Sequence, residues 1–228
     1  MNIVPDLLKQ FDAKQNAIFR GHANLKWDLK PSIGRHYSED WPTVSSKEKD
    51  SLRHFKLRSI PFLKVVPQHD HDLEWLCLMQ HFGCPTRLLD FTTNPLIALF
   101  FASDPGHDGD GEVIATTQIE SRDEGASDVF SARDPFVYDP PHTSERVIGQ
   151  SGCFIVCPAP NEPLIVNNVR KVTVPKSQKE RIRRELAILG INHSRLFPGL
   201  GGVCDDLKDI LVNGLEWQIL LDQLPHLL

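Results

Sequence analysis

Residues 80–105, QHFGCPTRLLDFTTNPLIALFFASDP, constrain this chain more than any other stretch. They read as a helix end, a Gly/Pro turn, a short apolar strand and a buried helix. His81, Arg87, Asp90, Thr92 and Thr93 are set among apolar neighbours. A polar group buried without a partner is costly, so each of these must be paired or put to use. A fold that accepts this stretch carries it through the interior and still satisfies its polar groups.

The rest of the chain reads as elements built around it. Residues 3–11 form a short helix and residues 17–20 a strand closed by Gly21. Residues 25–32, LKWDLKPS, form a turn and a short extended piece with Trp27 and Leu29 on one side. Residues 45–63 are a helix that Pro61 interrupts, with Leu52, Phe55 and Ile60 as its stripe and Ser45 or Ser46 as its N-cap. Residues 70–82 are a second helix ended by Gly83. Asn94 caps the helix that starts at Pro95.

Further on, residues 112–119 are a strand and 120–143 a long surface loop. Residues 146–157, RVIGQSGCFIVC, alternate as a strand with a bulge at Gly149 or Gly152. Residues 164–166 and 169–174 are strand pieces. Residues 175–189 are a helix with a Ser177/Glu180 capping box and Gly190 past its end. Residues 205–212 and 216–224 are short helices. This interleaving has no regular βα alternation, which predicts an α+β fold with small mixed or antiparallel sheets flanked by helices. A single domain spans residues 1–228, with a motif core over 17–212 and a helical C-terminal end.

Composition narrows the partners. The formal net charge of −5 argues against broad nonspecific nucleic-acid binding. The longest apolar run, residues 95–102, is far shorter than the ~20 residues of a membrane span. The first residues, MNIVPDLLKQFDAK, include acidic residues and lack the long apolar core of a signal peptide. The cysteines, 5 in number, form no CxxC pair. These features predict a reduced, cytoplasmic protein with buried thiols and no membrane contact.

Three clusters could carry chemistry. In Phe19-Arg20-Gly21, an arginine at a strand end can grip a carboxylate or phosphate with its planar fork, and glycine lets the backbone approach a ligand. It can equally pair with a structural carboxylate such as Asp90. In the second cluster, His81 suits a helix C-terminus or a ligand contact. Arg87 and Leu89 share one strand face, Leu88 and Asp90 the other, so Asp90 could orient Arg20 as a buried pair. Thr92 and Thr93 cap a helix or offer donors to an anion. In the third, Arg146, Gln150 and Gly152 precede Phe154, and Gln150 could contact ribose hydroxyls. Three other patterns read as weaker. Cys84 with His81 makes a poor nucleophile pair, the Cys153/Cys157 spacing is wrong for zinc, and residues 69–72 start a helix rather than a metal site. The basic run 179–184 reads as a solvated helix face.

Phe19-Arg20-Gly21 and the later Gln80-His81-x-Gly83-x-Pro85-Thr86-Arg87-Leu88-Leu89-Asp90-x-Thr92 together resemble the FRG domain, named for its F/Y-R-G motif. Arg146-x3-Gln150-x-Gly152-x-Phe154 resembles that family's later motif. The order is also similar to that of ADP-ribosyltransferases, with a first-strand arginine, a Ser-Thr-Ser-like strand leading into an apolar helix, and a glutamate-bearing strand. Arg20, the segment Phe91-Thr92-Thr93 and the position of Gln150-x-Gly152 match these in turn. Gly152 stands where those enzymes carry the catalytic glutamate, and Asp90, Glu145 and Glu112 are the acids that could replace it.

The resemblance implies an ADP-ribosyltransferase-like fold and an NAD-consuming toxin or anti-phage defence effector. It would modify a nucleic-acid or protein acceptor and be restrained by an antitoxin or regulatory partner. Arg20, Asp90 and Gln150 would be catalytic. Arg20, Gly21, His81, Arg87, Thr92 and Thr93 would hold NAD, with no metal. The alternative is a non-catalytic nucleotide- or partner-binding module. A hydrolase or nuclease built on His81 and Asp90 is a third reading.

Overall fold

The computed structural model describes residues 17–37, 40–117, 119–123, 129–141 and 144–213. The helices expected at residues 3–11 and 216–224 lie outside them. The strands are β1 (Ile18–His22), β2 (Leu88–Thr92), β3 (Gly111–Thr116), β4 (Phe136–Tyr138), β5 (Gly152–Val156) and β6 (Arg170–Val174). The helices are α1 (Ser32–His36), α2 (Trp41–Ser59), α3 (Asp72–His81), α4 (Pro95–Ala102), α5 (Glu145–Gly149), α6 (Lys179–Ile188), α7 (His193–Leu196) and α8 (Leu200–Asn213). A 3-10 turn, Ile60–Phe62, extends α2.

The strands form one six-stranded sheet in the order β4-β5-β2-β1-β3-β6. Every pairing is antiparallel. The fold is therefore α+β, with one sheet in place of the small separate sheets expected. Directly opposed residues share a face, so the register puts Leu88, Asp90, Thr92, Phe154, Phe19 and Val113 together. On that face α4 and α6 cover the β1/β3 half through Ile97, Leu99, Ile182 and Leu186. The α2–α3 pair covers the β2/β5 half through Leu52, Leu73, Trp75 and Leu76. The other face buries Leu89, Phe91, Cys153 and Ile155 under Leu29, Ile119 and Leu164.

The central stretch folds as its local signals require. Gly83 takes φ +86° just beyond α3, a left-handed value that glycine adopts without Cβ strain. The Asn94 side chain accepts from the Leu96 amide and caps α4. Gly190 likewise ends α6 with φ +76°.

Other expectations need correction. Residues 25–26 form the expected turn, but no extended strand follows: the backbone is irregular up to Ser32, where α1 begins. Trp27 is exposed against His107, whereas Leu29 packs under the sheet. The α2 helix begins at Trp41 with Asp40 at its cap position, and its buried stripe is Val44, Glu48, Leu52, Lys56 and Ser59. Ile60 is exposed. The loop expected over 120–143 contains β4, held by β5, and Ser121 bridges to Val137. Residues 146–157 are not one strand: α5 occupies their first part and β5 starts only at Gly152. Residues 164–166 join no strand of the sheet. Ser177 makes no capping bond, because a 3-10 turn, Lys176–Gln178, precedes α6. The basic run is not wholly solvated: Lys179 is buried and donates to the carbonyls of Ala23, Asp104 and His107. The final described helix is longer than the expected 205–212.

Candidate active site

A cleft opens where the two helical groups part above β2. Its larger compartment is a cavity of about 540 Å³, walled by Phe62, His81, Phe82 and Phe154. Its smaller one, about 150 Å³, is bounded by Phe19, Arg20, Gly21 and Phe101. Asp90, Phe91, Arg146 and Gln150 line both. Such dimensions, with mostly apolar walls and a few convergent polar groups, suit a small-molecule ligand.

Asp90 is the carboxylate at the junction. Its side chain is 61% exposed. Its Oδ1 accepts from Gln80 Nε2 at 2.7 Å. The Gln80 amide is oriented in turn, because its Oε1 accepts from the Thr86 hydroxyl. Thr86 is fixed by Ser32, whose Oγ accepts the Thr86 amide at 3.0 Å. The Leu88 amide donates to Thr86 Oγ1 at 3.2 Å. The spacing of Gln80, Thr86 and Asp90 is thus explained by a relay that aims one carboxylate.

Arg20 lies on the opposite sheet face and reaches across a gap. The β1–β2 ladder consists of a single pair, Phe19↔Thr92. Beyond it Arg20 Nη1 donates to the Asp90 carbonyl at 2.6 Å. Arg20 Nε donates to His22 Nε2 at 3.0 Å. The expected buried Arg20–Asp90 ion pair is therefore corrected: Nη1 is 3.8 Å from Asp90 Oδ2, and that carboxylate faces solvent. Arg20 is held mainly by main chain and imidazole. Burial lowers its pKa, opposed by Asp90 and assisted by the charge of Arg35. His22, at two residues' spacing on the same face, was legible from strand period but was not singled out. Burial first, then Arg20, Arg35 and Lys171, push its pKa down to about 3, so its ring is neutral. Because Nε2 accepts from Arg20, the proton belongs on Nδ1, which faces Glu112 Oε1 at 3.6 Å.

The remaining expected site residues separate into two groups. His81 borders the larger compartment. Burial, then the charge of Arg146, holds it below the ordinary imidazole range. Gln150 lines both compartments but caps α5 rather than sitting on a strand. Its Nε2 donates to the Leu196 carbonyl at 3.0 Å.

Arg87, by contrast, is corrected from ligand contact to structural core. Its side chain and that of Glu48 are both 0% exposed. Nη2 and Nε meet Glu48 Oε2 at 2.8 and 2.9 Å, and Nη1 donates to the Val129 carbonyl. The guanidinium also lies between the Trp41 and Phe130 rings. Thr92 donates to the Gln150 carbonyl at 2.7 Å and accepts from the Asn94 amide. The Thr93 amide donates to the Ser151 carbonyl. Both threonines fasten the α5–β5 turn to the end of β2, and Thr92 also lines the smaller compartment. Gly21 serves packing as well: a Cβ there would lie 1.9 Å from the Ala98 carbonyl oxygen.

Of the acids that could replace a glutamate at position 152, Glu112 is buried beside His22 and Lys171 and lines neither compartment. Glu145 is exposed on α5 and lines neither. Cys153 and Cys157 are buried thiols whose pKa values burial raises to about 12. No group of three or more metal-ligating side chains occurs among the described residues. No described helix is long and apolar enough to cross a membrane.

The family model of the FRG domain matches residues 15–110. The matched region includes β1, the Gln80–Thr86–Asp90 relay and α4. The segment with Arg146, Gln150 and Gly152 lies beyond the match. No curated protein matches the chain, and neither does any solved structure.

Proposed function

We propose that the cleft binds NAD as a substrate and that the chain transfers ADP-ribose from it to a nucleic-acid or protein acceptor. The observation that carries this reading is the Asp90 carboxylate, held by Gln80 where the two compartments meet. In such a transfer the bond between ribose C1′ and the nicotinamide nitrogen breaks, and its electron pair leaves with nicotinamide. An oxygen or nitrogen of the acceptor bonds to C1′ and releases its proton to solvent. Positive charge builds on the ribose at the transition state, and a fixed carboxylate facing it lowers the barrier. Arg20 would bind the pyrophosphate, since its Nη2 makes no hydrogen bond among the described residues. Gln150 would meet a ribose hydroxyl through its Oε1, its Nε2 being spent on Leu196. His81, uncharged near neutral pH, would border the ligand without repelling an oxocarbenium. A toxin or antiviral effector, neutralised by a partner, is the role this chemistry would serve.

The test is incubation of labelled NAD with the full chain and cell extract. Nicotinamide release with label appearing on RNA, DNA or protein is expected, and its loss in Asp90→Asn. A wild-type chain that releases no nicotinamide overturns the reading.

A second reading, a non-catalytic nucleotide-binding module, is favoured by Gly152 at the position of the missing acid. The structure does not require glycine there: a Cβ would meet nothing nearer than the Val147 carbonyl oxygen at 3.6 Å. The first side-chain atom of a Gly152→Glu variant therefore meets no backbone clash. Saturable NAD binding in the wild type, with turnover only in Gly152→Glu, would establish this reading.

A further inference from the structure

Arg146 stands apart from the other buried or half-buried arginines. Arg87 spends its donors on Glu48, Val129 and Ser45. Arg20 spends two on Asp90 and His22. Arg183 reaches the Ser103 carbonyl and His193. The Arg146 side chain makes no hydrogen bond and no ion pair with any described residue, although its carbonyl accepts from the Gln150 amide. Its guanidinium lies over the Phe197 ring, 4.9 Å from the centroid. A cation–π contact of this kind uses no N–H hydrogen bond, so the donors stay unspent. Among the described residues the group has no counter-charge, although Asp90 lines the same cleft.

Its place in the fold gives these donors a direction. Arg146 lines both compartments, and the smaller one also has Arg20 on its wall. Two guanidiniums thus border one small recess. One is largely spent on the protein and one is not. A free guanidinium fork matches two oxygens of a phosphate far better than a point charge does. The ring of Phe197, on the segment after α7, lies against the guanidinium, and the Gln150–Leu196 bond fixes α7 against α5.

We infer that Arg146 is the principal phosphate ligand of the cleft, gripping a phosphate or pyrophosphate group with Arg20 as the secondary contact. The inference rests on the cleft being a ligand site, as proposed above, but on no reaction within it.

The test is titration calorimetry of the full chain with inorganic pyrophosphate, ADP-ribose and adenosine, for wild type, Arg146→Ala and Arg146→Lys. Arg146→Ala should weaken pyrophosphate and ADP-ribose at least about tenfold and leave adenosine unchanged. Arg146→Lys, which keeps the charge and most of the stem, should fall between. Equal binding of pyrophosphate and ADP-ribose by wild type and Arg146→Ala overturns the inference. So does a parallel loss of adenosine binding, which would mark Arg146 as a packing residue for α7, and so does failure of the wild type to bind either phosphate probe. Arg146-dependent ADP-ribose binding in a chain that releases no nicotinamide sustains the inference while removing the transferase reading. NAD turnover unaffected by Arg146→Ala does the reverse.

Discussion

Arg20 Nη1 donates to the main-chain carbonyl of Asp90 at 2.6 Å, while Oδ2 of the same residue's carboxylate is 3.8 Å away. The guanidinium replaces a strand amide at a point where the β1–β2 ladder stops. Arg20 therefore has two tasks, closing the sheet and facing the ligand. Arg20→Ala would leave a carbonyl and an imidazole nitrogen without their donor, at a cost of about 1–3 kcal/mol. Arg20→Lys can still reach the carbonyl but cannot form a fork. It is expected to fold with a loss of about 1 kcal/mol and to raise KM for NAD rather than lower kcat. Urea unfolding beside steady-state kinetics separates the two tasks, and a fall in kcat alone would contradict the assignment.

Asp90 and Gln80 make a sharper pair for activity. Asp90→Asn keeps an oxygen for Gln80 Nε2 and removes only the charge. Because the side chain is exposed, stability should change by less than about 0.5 kcal/mol. Nicotinamide release should fall by about 10²–10³ in kcat. Gln80→Ala leaves the carboxylate present but unaimed, so a smaller loss of about tenfold is expected, again in kcat. An Asp90→Asn chain with wild-type turnover would show that another group carries the charge.

The Arg87–Glu48 pair predicts the opposite pattern. Both side chains are fully buried, and removing one partner strands the other. Arg87→Ala should cost about 3–5 kcal/mol and lower the yield of folded chain. Whatever folded protein is recovered should bind NAD with wild-type affinity, because Arg87 lines neither compartment. A variant of unchanged stability but weakened binding would return Arg87 to the site.

Gly21 is expected to tolerate no side chain. The built Cβ is 1.9 Å from the Ala98 carbonyl oxygen and 2.6 Å from the Ala102 nitrogen. These are main-chain atoms of α4 and cannot swing aside. Gly21→Ala should destabilise by about 3 kcal/mol, the upper end for overpacking, as α4 is forced off β1. Thermal unfolding checks this, and a shift within error would mean that α4 sits further from the strand.

The parts of this architecture legible in the sequence are those with local causes. Gly83 and Asn94 are read correctly because a left-handed residue and a cap act within a few positions. The segment 146–157 misleads because its apolar alternation fits a strand, while the left-handed residue of its turn is Ser151, at φ +43°, and not one of the glycines beside it. Strand β4 is only three residues long and exists through its pairing with β5, a contact that local patterning cannot reveal. Arg87 reads as a ligand contact because its counter-ion, Glu48, lies on a helix 39 positions earlier. Lys179 reads as solvated because the three carbonyls it serves come from distant loops. The Gln80–Asp90 relay is the part of the site within sequence range. The open donors of Arg146 depend on what is absent around it, which only the assembled fold can show.

The last prediction concerns pH. Folding holds His22 near a pKa of about 3, against an ordinary 6.5, through burial and the charges of Arg20, Arg35 and Lys171. Glu112, its acidic neighbour, stands 3.6 Å from Nδ1 and does not reverse this. Below about pH 6.5 the unfolded chain therefore takes up a proton that the folded chain refuses. Stability must fall as pH drops from about 6.5 towards 3, by up to about 1.4 kcal/mol per pH unit from this group, and it is unaffected by it above 7. Carboxylates add their own acid sensitivity, so the comparison is with His22→Gln, which can still offer Arg20 an oxygen acceptor but cannot take the proton. Urea unfolding of both chains at pH 7.5, 6 and 5 should give a stability difference that is constant above neutrality and shifts in favour of the variant below it. Parallel curves across that range would mean that His22 is protonated in the fold. Arg20 would then face a cation at 3.0 Å instead of an acceptor, and the hydrogen bond that positions it would have to be assigned elsewhere.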